Sequence, residues 1–151
     1  MKKLLGVLLC ICTLFGCSKR ETKVEINLAE AFTGITENTE LPALYEPTGE
    51  ELTLFGLSED TLEQYYIAMP MMNVHATTFF FVEAKEGQLE TVKEAVDTYF
   101  ANYEENWRYY LPEQYDLVKN RQVIETGNYI CVIISEDAEN QANALKEAMG
   151  L

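Results

Sequence analysis

Cysteine is scarce in this sequence, and its placement limits what can hold the chain together. The 151 residues contain four cysteines, three of them at Cys10, Cys12 and Cys17. Only Cys131 lies in the long remainder, so no disulfide can form within that part. A remainder of about 125 residues is nevertheless enough for one hydrophobic core. The sequence therefore predicts a single domain that is stabilised by its core alone.

Histidine is scarcer still, because His75 is the only one. Cys131 and His75 could in principle act as nucleophile and base. No third group that would orient the histidine is apparent, and Cys131 lies in an apolar run, where an inert buried thiol is common. The paired acidic residues include no Asp-x-Asp-x-Asp-Gly loop, so they do not indicate calcium. We therefore expect no cofactor and no catalytic residue, with an enzyme that uses carboxylates alone as the alternative.

Basic residues are few, and most of the chain is strongly acidic. The sequence has 11 Lys and Arg against 25 Asp and Glu. From Val24 onward the balance is 6 − 24 = −18. A nucleic-acid partner is disfavoured, because phosphate contacts require clustered cations. Three of the other basic residues, Lys19, Arg20 and Lys23, instead lie together near the start of the chain.

Long hydrophobic runs are also absent, except for one near the start. An apolar stretch over residues 4–15 follows two lysines and ends in Leu14-Phe15-Gly16-Cys17. This stretch is shorter than the ~20 residues that a membrane span needs, and its layout is that of a secretory leader. A small residue directly before the cysteine is typical of bacterial lipoproteins. The sequence therefore predicts a signal peptide over 1–16 and a lipid on Cys17. We also expect a tether over 17–26, and a domain over 27–151 at the outer leaflet of the cell membrane.

The remainder alternates between strand and helix patterns. Apolar residues at three- and four-residue steps predict one long helix, from Leu89 to Tyr110. Strands are predicted over 64–69, 77–84, 121–126 and 129–135, and a last helix over 138–149. Short helices should precede them, capped by Asn27 and Thr48, with Gly34 ending the first. The pattern is thus strand-strand-helix repeated twice, and a gapless offset of 53 residues aligns the two halves.

This order predicts an α+β fold with a four-stranded, mainly antiparallel sheet and helices on one face. The strands over 77–84 and 129–135 are apolar on both faces and should be central. If the long helix and the last helix both cover one face of the sheet, only residues 27–62 remain to cover the other face. We expect partial cover, which leaves a groove for a ligand or partner rimmed by Tyr65, Met71 and Tyr129.

A cluster of soft ligands suggests a further alternative. Met69, Met71, Met72 and His75 lie within seven positions and could bind Cu(I). Methionines at a strand end more often fill gaps in a core. We therefore favour a non-catalytic binding or interaction module of the cell envelope, acting on an envelope protein or a small ligand.

Several short motifs resemble a known family. They are the run from Tyr65 to Val74, the strand from Thr78 to Lys85, the segment Tyr110-Leu111-Pro112-Glu113-Gln114 and the turn Gly127-Asn128-Tyr129. Over residues 41–149 the chain is similar to domain of unknown function 4358, a family of small lipoproteins typical of Firmicutes. The resemblance implies an anchored protein on the outer face of a Gram-positive membrane. It implies no activity and no functional residue.

Overall fold

A computed structural model describes residues 25–151, and a five-stranded antiparallel sheet forms its centre. The strand order is β1-β2-β3-β5-β4. The strands are Leu44–Tyr45 (β1), Leu62–Pro70 (β2), Thr78–Ala84 (β3), Gln122–Thr126 (β4) and Tyr129–Ile134 (β5). The helices are Leu28–Thr36 (α1), the 3-10 helix Gly49–Phe55, Leu89–Trp107 (α2), Pro112–Lys119 (α3) and Ala138–Ala148 (α4). The predicted signal peptide and Cys17 lie outside the described residues.

The two central strands, β3 and β5, are buried along their whole length, as their apolar sequences predict. They pair in a register that places Phe80 opposite Val132 and Phe79 opposite Ile133. Because side chains alternate along a strand, each face of the sheet receives its own set. The two sets belong to two separate core clusters.

Helices cover both faces of the sheet, which corrects the prediction of helices on one face. The first face, here the α2 face, packs against α2, α3 and the 3-10 helix. Its core includes Phe55, Phe80, Val96, Phe100 and Trp107. The second face, the α4 face, packs against α1 and α4. Its core includes Leu28, Phe79, Cys131, Ala142 and Leu145.

The sheet has one strand more than predicted. Leu44 pairs with Pro70 and Tyr45 with Met69, so the segment between Pro42 and Pro47 contains a short edge strand. The strand predicted over 64–69 extends to Pro70, which is the last residue of β2. A proline is tolerated there because the pairing with β1 extends for only two residues and reaches the edge of the sheet.

The short N-terminal elements confirm some local signals and contradict others. The Asn27 side chain caps α1 by accepting from the Glu30 N–H at 3.0 Å. Helix α1 continues to Thr36, so Gly34 does not end it. The Thr48 N–H donates to the Glu51 carboxylate at 2.8 Å in the predicted capping box, which opens a 3-10 helix.

Candidate functional site

A groove runs between the 3-10 helix and α2. The 3-10 helix ends at Gly56, whose φ of 71° is the left-handed conformation that favours glycine. A Cβ at this glycine would lie 3.5 Å from the Ala95 Cβ, so the two elements approach closely here. The groove opens beside this contact and has a volume of about 320 Å³.

One wall of the groove is apolar and the other is polar. Leu54, Phe55 and Tyr99 contribute apolar surface, and 71% of Leu54 is exposed. Phe55 is only 4% exposed, so of these two neighbours it is Leu54 that meets the solvent. Glu94 and Asn102 are among the polar residues of the groove.

The polar side continues into an acidic hollow along α2, of about 390 Å³. Glu90, Glu94 and Asp97 line it, together with a single cation, Lys93. Lys93 forms an ion pair with Glu125 of β4, and this bond raises the pKa of its ammonium group. The hollow therefore has three carboxylates and no cation that is free of its own partner, which makes its potential negative.

Tyr99 lies at the centre of an aromatic cluster that supports the groove from below. Its ring is 4.9 Å from that of Phe55 and 6.0 Å from that of Phe80, measured between centroids. Burial raises the pKa of its hydroxyl, so Tyr99 presents a neutral group. The apolar wall is thus held by ring packing and is rigid.

A second exposed surface lies at the turn between β2 and β3. Met71, Met72 and Val74 form what we call the hairpin patch, with exposed fractions of 65%, 59% and 37%. The turn is tied down on both sides. The Met71 N–H donates to the Ala43 carbonyl at 2.9 Å, and the Ala76 N–H donates to the Gln114 side chain at 2.8 Å.

The structure does not bring Tyr65, Met71 and Tyr129 together into the predicted groove. Tyr65 packs against the core of the α2 face, whereas Tyr129 is 4% exposed and belongs to the α4 face. Met71 lies beyond the end of β2. The expectation was wrong because α1 and α4 cover the face that it left partly open.

The four predicted soft ligands are likewise divided. Met69 is buried in the core of the α2 face, so it cannot join an outward-facing site. Met71 and Met72 are exposed, and the His75 N–H donates to the Met72 carbonyl within the same turn. A metal site here would therefore contain three of the four residues.

Cys131 and His75 do not form a reactive pair. Cys131 is buried on β5 opposite Phe81, whereas His75 lies in the turn before β3 begins at Thr78. Burial raises the pKa of the Cys131 thiol to about 12. The thiol is therefore protonated at neutral pH and is not a nucleophile.

A polar network on the α4 face escaped the sequence analysis. Glu83 is 4% exposed and accepts from the Gln64 side chain at 2.8 Å. The same Gln64 amide group donates to the Ile26 carbonyl at 2.8 Å and accepts from the Leu28 N–H at 3.3 Å. The Tyr129 hydroxyl accepts from the Ile26 N–H at 3.4 Å. This network, which we call the N-terminal clamp, attaches the start of the domain to the sheet. A glutamate within an apolar strand was its only sequence signal.

Two features are absent from the described part of the chain. Between residues 25 and 151, no group of three or more His, Cys, Asp or Glu side chains is arranged to hold a metal ion. No helix in that part is long and apolar enough to cross a membrane.

The comparisons with known proteins give one result. No curated protein and no solved structure matches the chain. A family model matches residues 46–135, which contain the groove, the hairpin patch and β2 to β5 but neither α1 nor α4. The chain therefore belongs to the family described as Domain of unknown function (DUF4358).

Proposed function

We propose that this protein is a lipid-anchored extracytoplasmic interaction module of the cell envelope, without catalytic activity of its own. The observation that carries the proposal is the hairpin patch, where Met71, Met72 and Val74 are exposed together. Grouped exposed apolar side chains mark contact surfaces more often than isolated ones do. Exposed methionines also adapt readily to the shape of a partner.

The patch lies far from the point where the chain joins the sheet. The N-terminal clamp holds Ile26 and Leu28 at Gln64, near the start of β2. Seven residues separate Gln64 from Met71 along β2, which is roughly 20–25 Å at the rise of a strand. The chain therefore joins one end of the sheet, and the hairpin patch is at the other.

Lipidation at Cys17 would turn the end of the sheet that the chain joins, near Gln64, toward the membrane. Few residues separate Cys17 from Ile26, and Lys19, Arg20 and Lys23 lie among them. Basic residues are attracted to anionic lipid, whereas a domain with 24 acidic and 6 basic residues from Val24 onward is repelled. The hairpin patch would then point away from the bilayer, so we propose a protein as its partner.

Crosslinking in intact cells tests this proposal. A photo-crosslinking amino acid in place of Met72 should capture a protein, and the same group in place of Glu139 should not. Glu139 is the control because it is exposed on α4, on the far face of the sheet. Met71→Lys should abolish the crosslink, and Cys17→Ala should release the protein from membranes. Crosslinks from position 72 to lipid, or identical products at both positions, would contradict the proposal.

Soft-metal binding is a second candidate, favoured by the exposure of Met71 and Met72 in the turn that also contains His75. Thioether and imidazole groups are suitable ligands for Cu(I). Titration with Cu(I) against a competing chelator tests it, with Met71→Leu and Met72→Leu as variants that keep the apolar surface. Binding weaker than micromolar, or binding that these variants leave unchanged, would dispose of this candidate.

A further inference from the structure

The groove beside α2 joins an apolar wall to an acidic hollow. The groove and the acidic hollow share Thr91, Glu94 and Thr98, so they form one continuous depression. Leu54 is at the apolar end, and Glu90 is at the acidic end. From this arrangement we infer that the groove docks a partner protein's segment that presents a bulky apolar side chain beside a lysine or arginine.

Charge complementarity selects this occupant. The only cation in the hollow is Lys93, and Glu125 engages it from β4. Glu90, Glu94 and Asp97 are all exposed and have no ion-pair partner among the described residues. An acidic segment would be repelled here, whereas a basic one would be attracted and guided into place.

The apolar wall favours an occupant that also has an apolar side chain, which charge alone would not select. Leu54 is 71% exposed beside the rings of Phe55 and Tyr99. A side chain that covered this leucine would remove apolar surface from water and gain affinity. A basic segment without an apolar side chain would leave the wall exposed and should bind more weakly.

The chain's own basic residues do not suit this role. Lys19, Arg20 and Lys23 precede Ile26, which the Tyr129 hydroxyl holds on the α4 face. The groove lies on the other side of the sheet, beside α2. The occupant is therefore a segment of another protein.

This inference deepens the proposed function by naming a partner chemistry at a second surface. The test uses the full chain in an uncharged detergent and two labelled synthetic peptides. One contains Lys-Phe-Lys between Gly and Ser residues, and the other has Ala in place of Phe. Fluorescence anisotropy should show the Phe peptide binding at least about tenfold more tightly, with an affinity that falls as salt is added.

Matched variants localise the binding. Glu94→Gln and Leu54→Ser should each weaken the Phe peptide several-fold. Glu139→Gln removes the same charge from α4, and Leu54→Met keeps the apolar surface, so both should leave binding unchanged. All three substituted positions are exposed, so the fold is retained.

Three results would overturn the inference. They are no binding, equal binding of the Phe and Ala peptides, and equal weakening by Glu94→Gln and Glu139→Gln, which would indicate only a general attraction of cations. None of them affects the crosslink from Met72, because the hairpin patch shares no residue with the groove. Failure of this inference and failure of the proposed function are therefore distinguishable.

Discussion

The two strand-strand-helix units differ in the face of the sheet that their helices cover. The offset of 53 residues aligns Phe80 of the first unit with Ile133 of the second. Phe80 lies on the side of α2, and Ile133 lies on the side of α4. In the sheet, however, Phe80 pairs with Val132. A shift of one residue turns every side chain of a strand to the opposite face. Equivalent residues of the two units therefore point to opposite sides, and α2 and α4 follow them.

The two faces are also stabilised by different means. The α2 face has a continuous series of aromatic rings, and ion pairs connect α2 to the residues around β4, as in Arg121 with Glu104. The α4 face packs small residues such as Ala138 and Ala142, and the N-terminal clamp attaches α1. Ring packing thus dominates on the α2 face, whereas the α4 face combines a smaller group of rings with small helix residues and hydrogen bonds.

The largest expected loss of stability is on the α2 face. Phe80 has the rings of Phe55, Tyr99 and Phe100 within 6.0 Å between centroids, whereas Phe79 has those of Phe32 and Phe81 at 5.0 and 6.3 Å. Phe80→Ala should lower the free energy of unfolding by about 4–5 kcal/mol, and Phe79→Ala by nearer 3 kcal/mol. Urea denaturation measures both. Equal losses would show that the two faces pack equally tightly.

The next effect concerns the N-terminal clamp. Gln64→Leu removes the bonds to Ile26, Leu28 and Glu83, and it leaves a buried carboxylate without that donor. We expect a loss of about 1–3 kcal/mol and faster amide exchange in α1, with α2 unaffected. Gln122→Leu is the control, because that side chain donates only to the Asn120 carbonyl. Unchanged exchange in α1 would show that packing alone holds this helix.

A smaller effect should appear with pH on the α4 face. Burial raises the pKa of the Cys131 thiol from 9.0 to about 12. Above pH 9 the unfolded chain loses this proton and the folded chain keeps it, so stability falls as pH rises from 9 toward 12. At pH 10 the loss should be roughly 1.4 kcal/mol.

The comparison variant for this effect is Cys131→Ala. Its unfolding free energy, measured in urea from pH 7 to pH 10, should fall less steeply above pH 9 than that of the natural chain. Identical slopes would mean that water reaches the thiol and that the α4 face is not sealed at β5.

The smallest effect concerns the ion pairs around α2. Arg121 donates to the Glu104 carboxylate at 2.7 Å, and both side chains are partly buried. A double-mutant cycle with Arg121→Gln and Glu104→Gln should give a coupling of up to about 1 kcal/mol that shrinks as salt is added. A coupling independent of salt would mean that these two residues interact through packing rather than charge.

Local patterns were sufficient to predict most elements. The spacing of Val92, Val96 and Phe100 predicts α2, and the two-sided apolar runs predict β3 and β5 as the central pair. Gly127 ends β4 in the predicted turn with a φ of 53°. These signals are local, because helix and strand periodicity and turn conformation depend on residues only a few positions apart.

The candidate surfaces were predicted only in part. Met71, which the sequence analysis placed at the rim of a groove, is exposed, but its grouping with Tyr65 and Tyr129 was wrong, and the exposure of Met72 was not predicted. Leu54 was not recognised, because a leucine in a short amphipathic helix is expected to be buried. Leu54 lies in the groove beside the contact between Gly56 and Ala95, which are 39 positions apart in the chain.

The sequence by itself determined the number of long helices, the two central strands, the acidic charge and the absence of a disulfide between Val24 and Leu151. Only the tertiary structure decided which face each helix covers, whether Leu54 is buried, and where the carboxylate of Glu83 finds a donor. These features depend on contacts between residues far apart in the chain: the register of β3 with β5 for the helices, the packing of the 3-10 helix beside α2 for Leu54, and the pairing of β2 with β3 for Glu83. Composition and periodicity are the same for either register, whereas the register that pairs Phe80 with Val132 places Phe80 against α2 and Ile133 against α4.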